Sequence, residues 1–354
     1  MSKKVILSAS KIKTASSCSW KYWANYVLKL PQSTNDGASR GWICHLIFEL
    51  LGEKKHKKKY NKIIKSGTVH SCKPVLKLIE YHAKKLNVSD DENMEMMDCM
   101  ILKGLLYDFF GSERGKPSLA ISEQEFNIDV EDGDKKYSIR GFIDKLFLYN
   151  RKTKAVIRDF KTSKEVFKGK EISDNLQNLM YCLAVKKLFP KVDDIEVEFL
   201  FLKFPMDKDM FGNPGKGVLK MEKIGQCEMD GFEYQLSSIQ SYLENFNETD
   251  AVSNFAANQP YPSDKTFGGP LMCGREGFKK SRGEFVLNSN GEKIPSFICE
   301  HRLPREYYVL LDENNDVKSS YDTYPTINLP KNYSIEKRIY KGCPHFFEIP
   351  KDLV

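Results

Sequence analysis

The sequence predicts a mixed α/β fold, and three observations carry that prediction. Between Ile121 and Thr162, three stretches rich in β-branched and apolar residues are separated by turn-forming residues. A helical pattern follows, and then a continuous apolar run, Ile-Glu-Val-Glu-Phe-Leu-Phe-Leu-Lys-Phe, within Asp194 to Phe204. Helical periodicity holds before residue 111 and returns from Gly231 to Phe246. The order helix, three strands, helix, strand, helix implies a mixed sheet covered on both faces.

Element by element, Ser8 or Ser10 is placed to cap a first helix that runs to about Leu28 and ends before Pro31. Its aromatics, Trp20, Tyr22, Trp23 and Tyr26, read as core packing at helical spacing, with base stacking as the alternative. Ser39 is the expected cap of a second helix, Arg40 to Leu51. Helical material then extends to about Gly111. The expected strands are Ile121 to Val130, Lys136 to Tyr149 and Ala155 to Thr162, with turns at 131–134 and 150–154. A helix from about Ser173 to Phe189 buries Leu176, Leu179, Met180, Leu183 and Leu188 on or near one face. Beyond residue 250 the sequence is irregular, with short strands such as Tyr307 to Leu311.

With 354 residues, 41% hydrophobic and 29% charged, the chain can build a large core, which excludes an intrinsically disordered protein. Two regions are expected: 1–250, with a helical insertion at about 50–118, and a cysteine-bearing extension, 251–354, that packs back on the N-terminus. No run reaches the roughly 18 apolar residues of a membrane helix, and the start carries no apolar leader. A soluble cytoplasmic protein without a membrane partner is expected. The net charge of +7 is compatible with a polyanionic partner. Lys54, Lys55, Lys57, Lys58 and Lys59 form the densest basic run, read either as a solvated helix end or as a nucleic-acid surface.

The chemistry concentrates around Asp144 and Asp159. Their midpoint falls between Arg151 and Lys152, the centre of a predicted turn, so an unbulged hairpin sets the two carboxylates opposite each other. Lys161, two residues on, projects from the same face as Asp159. Flanking residues Phe142, Ile143, Leu146, Val156, Ile157 and Phe160 mark these strands as central, and central strands seldom bury two acids without a use. Paired hard-oxygen ligands suit Mg²⁺ or Mn²⁺, and a nearby amine can orient an attacking water. An exposed hairpin with ordinary ion pairs is the bland alternative.

Asp144 followed by Asp159-Phe-Lys161 resembles the metal-binding core of the PD-(D/E)XK nuclease superfamily. Two further motifs point to its RecB-like exonuclease branch: Gly41-Trp-Ile-Cys-His45, with Glu49 one turn on, and Gln177-Asn-Leu-Met-Tyr181. The resemblance covers roughly residues 8 to 205. It implies a core of helix, three strands, helix and strand. It also implies that His45, Asp144, Asp159 and the Phe160 carbonyl ligate the metal, that Lys161 activates or positions water, and that Gln177 and Tyr181 lie beside the reacting groups. Glu49 is read as a helix-surface residue.

Nine cysteines, an odd number without dense spacing, exclude a secreted disulfide scaffold. Members of this branch, including AddB-type and CRISPR spacer-acquisition nucleases, carry a 4Fe–4S cluster on one upstream and three downstream cysteines. Cys18, Cys273, Cys299 and Cys343 take those places in order, although the downstream three are more widely spaced than in the family. A structural zinc using Cys299-Glu-His301 and Cys343-Pro-His345, or four ordinary thiols, are the alternatives. The resemblance therefore implies a metal-dependent DNA exonuclease in replication, recombination or repair, in a phage or CRISPR setting, acting on DNA that is single-stranded or has a free end. The alternatives are a non-catalytic DNA-end-binding or assembly subunit and a structure-specific endonuclease.

Overall fold

The computed structural model describes residues 4–346 apart from 209, 211, 263–267, 275–276, 282 and 289–290. The chain divides into two compact units: residues 4–9 with 34–241, and residues 10–33 with the chain from 242 onward.

The first unit is built on helix α1 (Asp36–Gly52) and a five-stranded sheet. Asn35 caps α1, its Oδ1 accepting the Ala38 amide at 3.0 Å, so the helix starts a turn before the expected Ser39 and buries that serine. Ile43, Ile47, Phe48 and Leu51 form its buried stripe. Against it pack helices Lys57–Ser66, Lys73–Lys85 and Asp91–Leu106, through Ile63, Val75, Ile79, Met97, Met100 and Ile101. Phe160 and Leu200 of the sheet join that same core.

The sheet runs in the order β1 (Leu119–Asp132), β2 (Lys135–Tyr149), β3 (Lys154–Lys161), β4 (Asp194–Phe201) and β5 (Val218–Lys220). β1–β2 and β2–β3 are antiparallel hairpins, β3–β4 is parallel and β4–β5 antiparallel, which makes this the mixed sheet the sequence predicts. A parallel pair needs a long crossover, and α2 (Leu176–Leu188) lies within it. Asn175, whose Oδ1 accepts the Asn178 amide at 3.0 Å, sets its start. Helix α3 (Gln226–Glu244) begins five residues before the expected Gly231. Its Glu233 receives Lys135 Nζ, Lys187 Nζ and the Tyr137 hydroxyl.

In the second unit, helix Ala9–Ser17 is followed by Ser19–Tyr22 and a π-helical turn, Trp23–Val27. The region expected to be irregular instead contains a three-stranded antiparallel sheet of β6 (Arg305–Leu311), β7 (Val317–Tyr321) and β8 (Ser334–Tyr340), with β6 central. Trp20, Ala24, Phe255, Tyr307, Val309 and Tyr340 form its core. Trp20 Nε1 donates to the Tyr340 hydroxyl, which donates in turn to the His301 carbonyl at 2.7 Å. Trp20 is thus a core residue and closed to base stacking. Among the described residues, no helix is long and apolar enough to cross a membrane.

Candidate active site

The site forms where α1, the β1–β2–β3 strands and α2 converge. Gly41 lets α1 approach the end of β3: a Cβ there would stand 2.7 Å from Thr162 Oγ1. Four residues on, His45 is thereby brought over the sheet, its Nε2 3.0 Å from the Phe160 carbonyl oxygen and its Nδ1 3.4 Å from Asp144 Oδ1. That contact directs the Nε2–H at the carbonyl and turns Nδ1 toward the carboxylate. Burial works against the imidazolium, but Asp144, with Asp159 and Glu123 behind it, holds the His45 pKa up at about 9.

The β2–β3 register follows the predicted midpoint: Lys145 pairs with Arg158 and Leu146 with Ile157. The ladder ends there, one step before the two aspartates. Asp144 Oδ2 instead accepts the Phe160 amide at 2.7 Å. Each carboxylate is thereby given its own partners, the arrangement expected when like charges share a buried site.

Asp159 sits at the centre of a second group. Its Oδ1 accepts from Gln177 Nε2 and from the Tyr181 hydroxyl, each at 2.7 Å, and its Oδ2 lies 2.7 Å from Lys161 Nζ. Lys161 also donates to Gln177 Oε1 at 2.7 Å, and Gln177 Nε2 reaches the Tyr181 oxygen. Gln177 and Tyr181, one turn apart on α2, therefore grip the same carboxylate oxygen. Burial raises the Asp159 pKa and Lys161 pulls it back, while Asp144 adds to the rise. Burial and the Asp159 charge push the Tyr181 hydroxyl well above its ordinary value.

Glu123 completes the site, and no motif pointed to it. One oxygen or nitrogen from each of His45, Glu123 and Asp144 lies within 4.8 Å of the other two. Glu123 adopts a left-handed backbone, φ 51°, within β1, and the pairing skips it between Ser122↔Lys145 and Gln124↔Ile143. A carboxylate side chain gains nothing locally from that conformation. Burial, then Asp144, raise its pKa to about 7. The turn expected at 131–134 centres between Asp132 and Gly133, whereas the observed hairpin centres one residue later in register, between Gly133 and Asp134, and so sets residue 123 opposite 144.

The donor set suits a hard divalent cation. Two carboxylates and an imidazole nitrogen supply borderline-hard ligands. The 3.4 Å between His45 Nδ1 and Asp144 Oδ1 is close to the ~3 Å that separates neighbouring ligands around an ion held at 2.0–2.1 Å. The Phe160 carbonyl, expected as a ligand, here accepts from His45 and orients the ring. Asp159, expected as a ligand, lies outside the three-donor group and is occupied by Lys161, Gln177 and Tyr181.

The remaining predicted residues lie elsewhere. Lys54, Lys55, Lys57 and Lys58 are exposed on a 3₁₀ turn and the start of the next helix, and Lys59 is half-buried against His56. In the second unit, Cys18, Cys273, Cys299 and Cys343 come near enough for their charges to act on one another. Burial and then the other three thiols push Cys343 up to about 11. The sulfurs of Cys299 and Cys343 accept from the backbone N–H groups of His301 and His345, and that of Cys273 from Ala257. The His301 ring is buried, and among the described residues neither nitrogen has a hydrogen-bond partner, although Nε2 lies 3.5 Å from Glu300 Oε1.

A family model for the PD-(D/E)XK nuclease superfamily matches residues 6–262. No protein with a curated description matches the chain significantly. Among solved structures, a Eubacterium rectale protein described as a candidate exonuclease aligns at 8% identity over 73% of this chain and 91% of its own, with a TM-score of 0.41. The protein SSO0001 aligns at 16% identity over 48% of this chain and 70% of its own, with a TM-score of 0.25. Likenesses that weak leave the family match, which spans most of the chain, as the deciding comparison. The chain belongs to the PD-(D/E)XK nuclease superfamily.

Proposed function

We propose that the chain is a metal-dependent DNA exonuclease of the RecB-like branch, hydrolysing phosphodiester bonds from a strand end with Mg²⁺ or Mn²⁺. The observation that carries this reading is the juxtaposition of two groups: the donors His45, Glu123 and Asp144, and beside them Lys161 held by Asp159 and Gln177. A divalent ion bound to the three donors would lower the pKa of a coordinated water and withdraw charge from the phosphate. His45 is turned toward such an ion by the Phe160 carbonyl, and Asp144 by the Phe160 amide. Lys161, held by Asp159 and Gln177, stands where its amine would orient the nucleophile or a phosphate oxygen. Gln177 and Tyr181 act as positioning residues, because both hold Asp159, which in turn holds Lys161.

The exposed Lys54, Lys55, Lys57 and Lys58, with Lys59 beside them, fit a surface that tracks the DNA backbone. In the second unit we assign Cys18, Cys273, Cys299 and Cys343 as ligands of a 4Fe–4S cluster. Mutual proximity and backbone N–H donation to three sulfurs support it. A structural zinc held by these cysteines with His301 and His345 is the alternative. Iron, sulfide and zinc analysis of anaerobically purified protein decides between them.

The function is tested by a time course on end-labelled linear and covalently closed circular single-stranded DNA, with Mg²⁺, Mn²⁺ or EDTA, beside the Asp159→Ala variant. Metal-dependent loss of linear DNA alone, absent in the variant, is expected. Cleavage of circles reassigns the protein as an endonuclease. Binding without cleavage in any metal reassigns it as a non-catalytic subunit.

A further inference from the structure

The strand that supplies Asp144 also presents a row of side chains leading away from it. Arg140, Phe142 and Asp144 alternate along β2 and so share one face, about 6.7 Å apart. Arg140 is exposed, Phe142 is 47% exposed and Asp144 is buried, so the row runs from solvent into the metal-donor group. Both exposed members are fixed in place. The Arg140 guanidinium pairs with Glu125 at 2.8 Å and lies 5.8 Å from the Phe142 ring centroid. Glu125 is the residue paired with Phe142 across the ladder.

The other donor-bearing element repeats the pattern. Trp42 precedes His45 by three residues on α1 and so is its neighbour along the helix surface. Its side chain is 51% exposed. It is braced edge-on by His82 at 4.9 Å, and His82 is braced by the exposed Tyr81 at 5.0 Å. Basic groups stand beside this helix: Lys203 lies close enough to Arg40 and Lys164 for their charges to act on its amine.

Single exposed aromatics are ordinary on protein surfaces and need no explanation. Here the elements that carry His45 and Asp144 each hold a braced, half-exposed ring next to the donor, with cationic groups alongside. Flat rings beside positive charge are what an unpaired, negatively charged strand offers contacts to: bases stack on the rings and phosphates meet the cations. A duplex keeps its base faces covered and gains nothing from such rings.

We propose that Phe142 and Trp42 are stacking platforms for unpaired bases flanking the scissile phosphate, which makes single-stranded nucleic acid the substrate this site selects. The proposal rests on the nuclease reading above and deepens it.

The test uses the full chain in EDTA, so that nothing is cut, with fluorescence anisotropy on a labelled oligothymidylate and on a blunt duplex. Phe142→Ala and Trp42→Ala are each expected to weaken single-strand binding by about tenfold or more. Duplex affinity is expected to stay unchanged, and Phe142→Trp to restore single-strand binding. Tyr234→Ala, which removes an exposed ring of α3, is expected to change neither affinity. Should Phe142→Ala fail to fold, Phe142→Leu keeps an apolar side chain, removes the flat ring and carries the same expectation. A wild type that cleaves DNA while every variant binds single strands as it does overturns the stacking proposal and leaves the nuclease intact. Equal loss on both substrates also overturns it. A wild type that binds neither substrate removes the nuclease reading as well.

Discussion

Glu123 stands across the β1–β2 ladder from Asp144, and its left-handed backbone at φ 51° turns its carboxylate into the group formed with His45. A non-glycine residue held there is strained by about 1–3 kcal/mol, and such strain is retained where surrounding structure and use require it. Glu123→Gln keeps the shape and removes a charged ligand. It is expected to weaken divalent-cation affinity by at least tenfold, read by calorimetric titration with Mn²⁺, with the thermal midpoint in EDTA held or raised. Unchanged Mn²⁺ affinity would place Glu123 outside the metal site.

Tyr181→Phe removes one hydrogen bond from Asp159 Oδ1 without changing the volume of α2. A hydrogen bond to a charged group contributes about 1.5–3 kcal/mol. Because Asp159 holds Lys161, kcat is expected to fall by roughly tenfold or more, with KM for DNA unchanged. A rise in KM at constant kcat would show that Tyr181 contacts the substrate instead.

Gly41→Val is expected to destabilise the protein by about 1–3 kcal/mol in urea unfolding, because its Cβ meets the Thr162 side chain. Thr162→Ala in the same chain should recover part of that loss. Additive losses in the double variant would mean that α1 is not seated against the end of β3 as described.

Glu233 predicts an acid limit to stability. Burial alone would raise its pKa, but Lys135, Lys187 and the Tyr137 hydroxyl bring it from 4.5 to about 2. A depressed carboxylate stabilises the fold above its unfolded pKa and loses that contribution as pH falls through the folded one. That contribution is lost as pH falls between roughly 5 and 2. Glu233→Gln should be less stable than wild type at neutral pH, with the gap closing across that window. A constant gap would refute the assignment.

The sequence made the core legible wherever one physical rule dominated. Alternation and the turn at Arg151–Lys152 placed β2 and β3 in their observed register, and helical spacing put His45, and likewise Gln177 with Tyr181, on their elements. Cap choice was less legible, because Asn35 and Ser39 are both good caps and only packing buries the serine. The end of the ladder at Lys145 and Arg158, one step short of the two aspartates, was not legible, since register fixes which residues align and not whether they stay bonded. Strands β7 and β8 were missed because their exposed, charged faces, as in Glu336-Lys-Arg338, lack apolar alternation. Glu123 escaped because no motif names it, and its conformation is set by the site and not by its neighbours in sequence.

The most direct test of the central claim is Mn²⁺ binding to wild type and to Asp144→Asn, followed by electron paramagnetic resonance, alongside cleavage of linear DNA. The account predicts that wild type binds the ion at this site, and that the variant loses both the bound signal and cleavage while still binding DNA. Undiminished Mn²⁺ binding and cleavage by Asp144→Asn would contradict it.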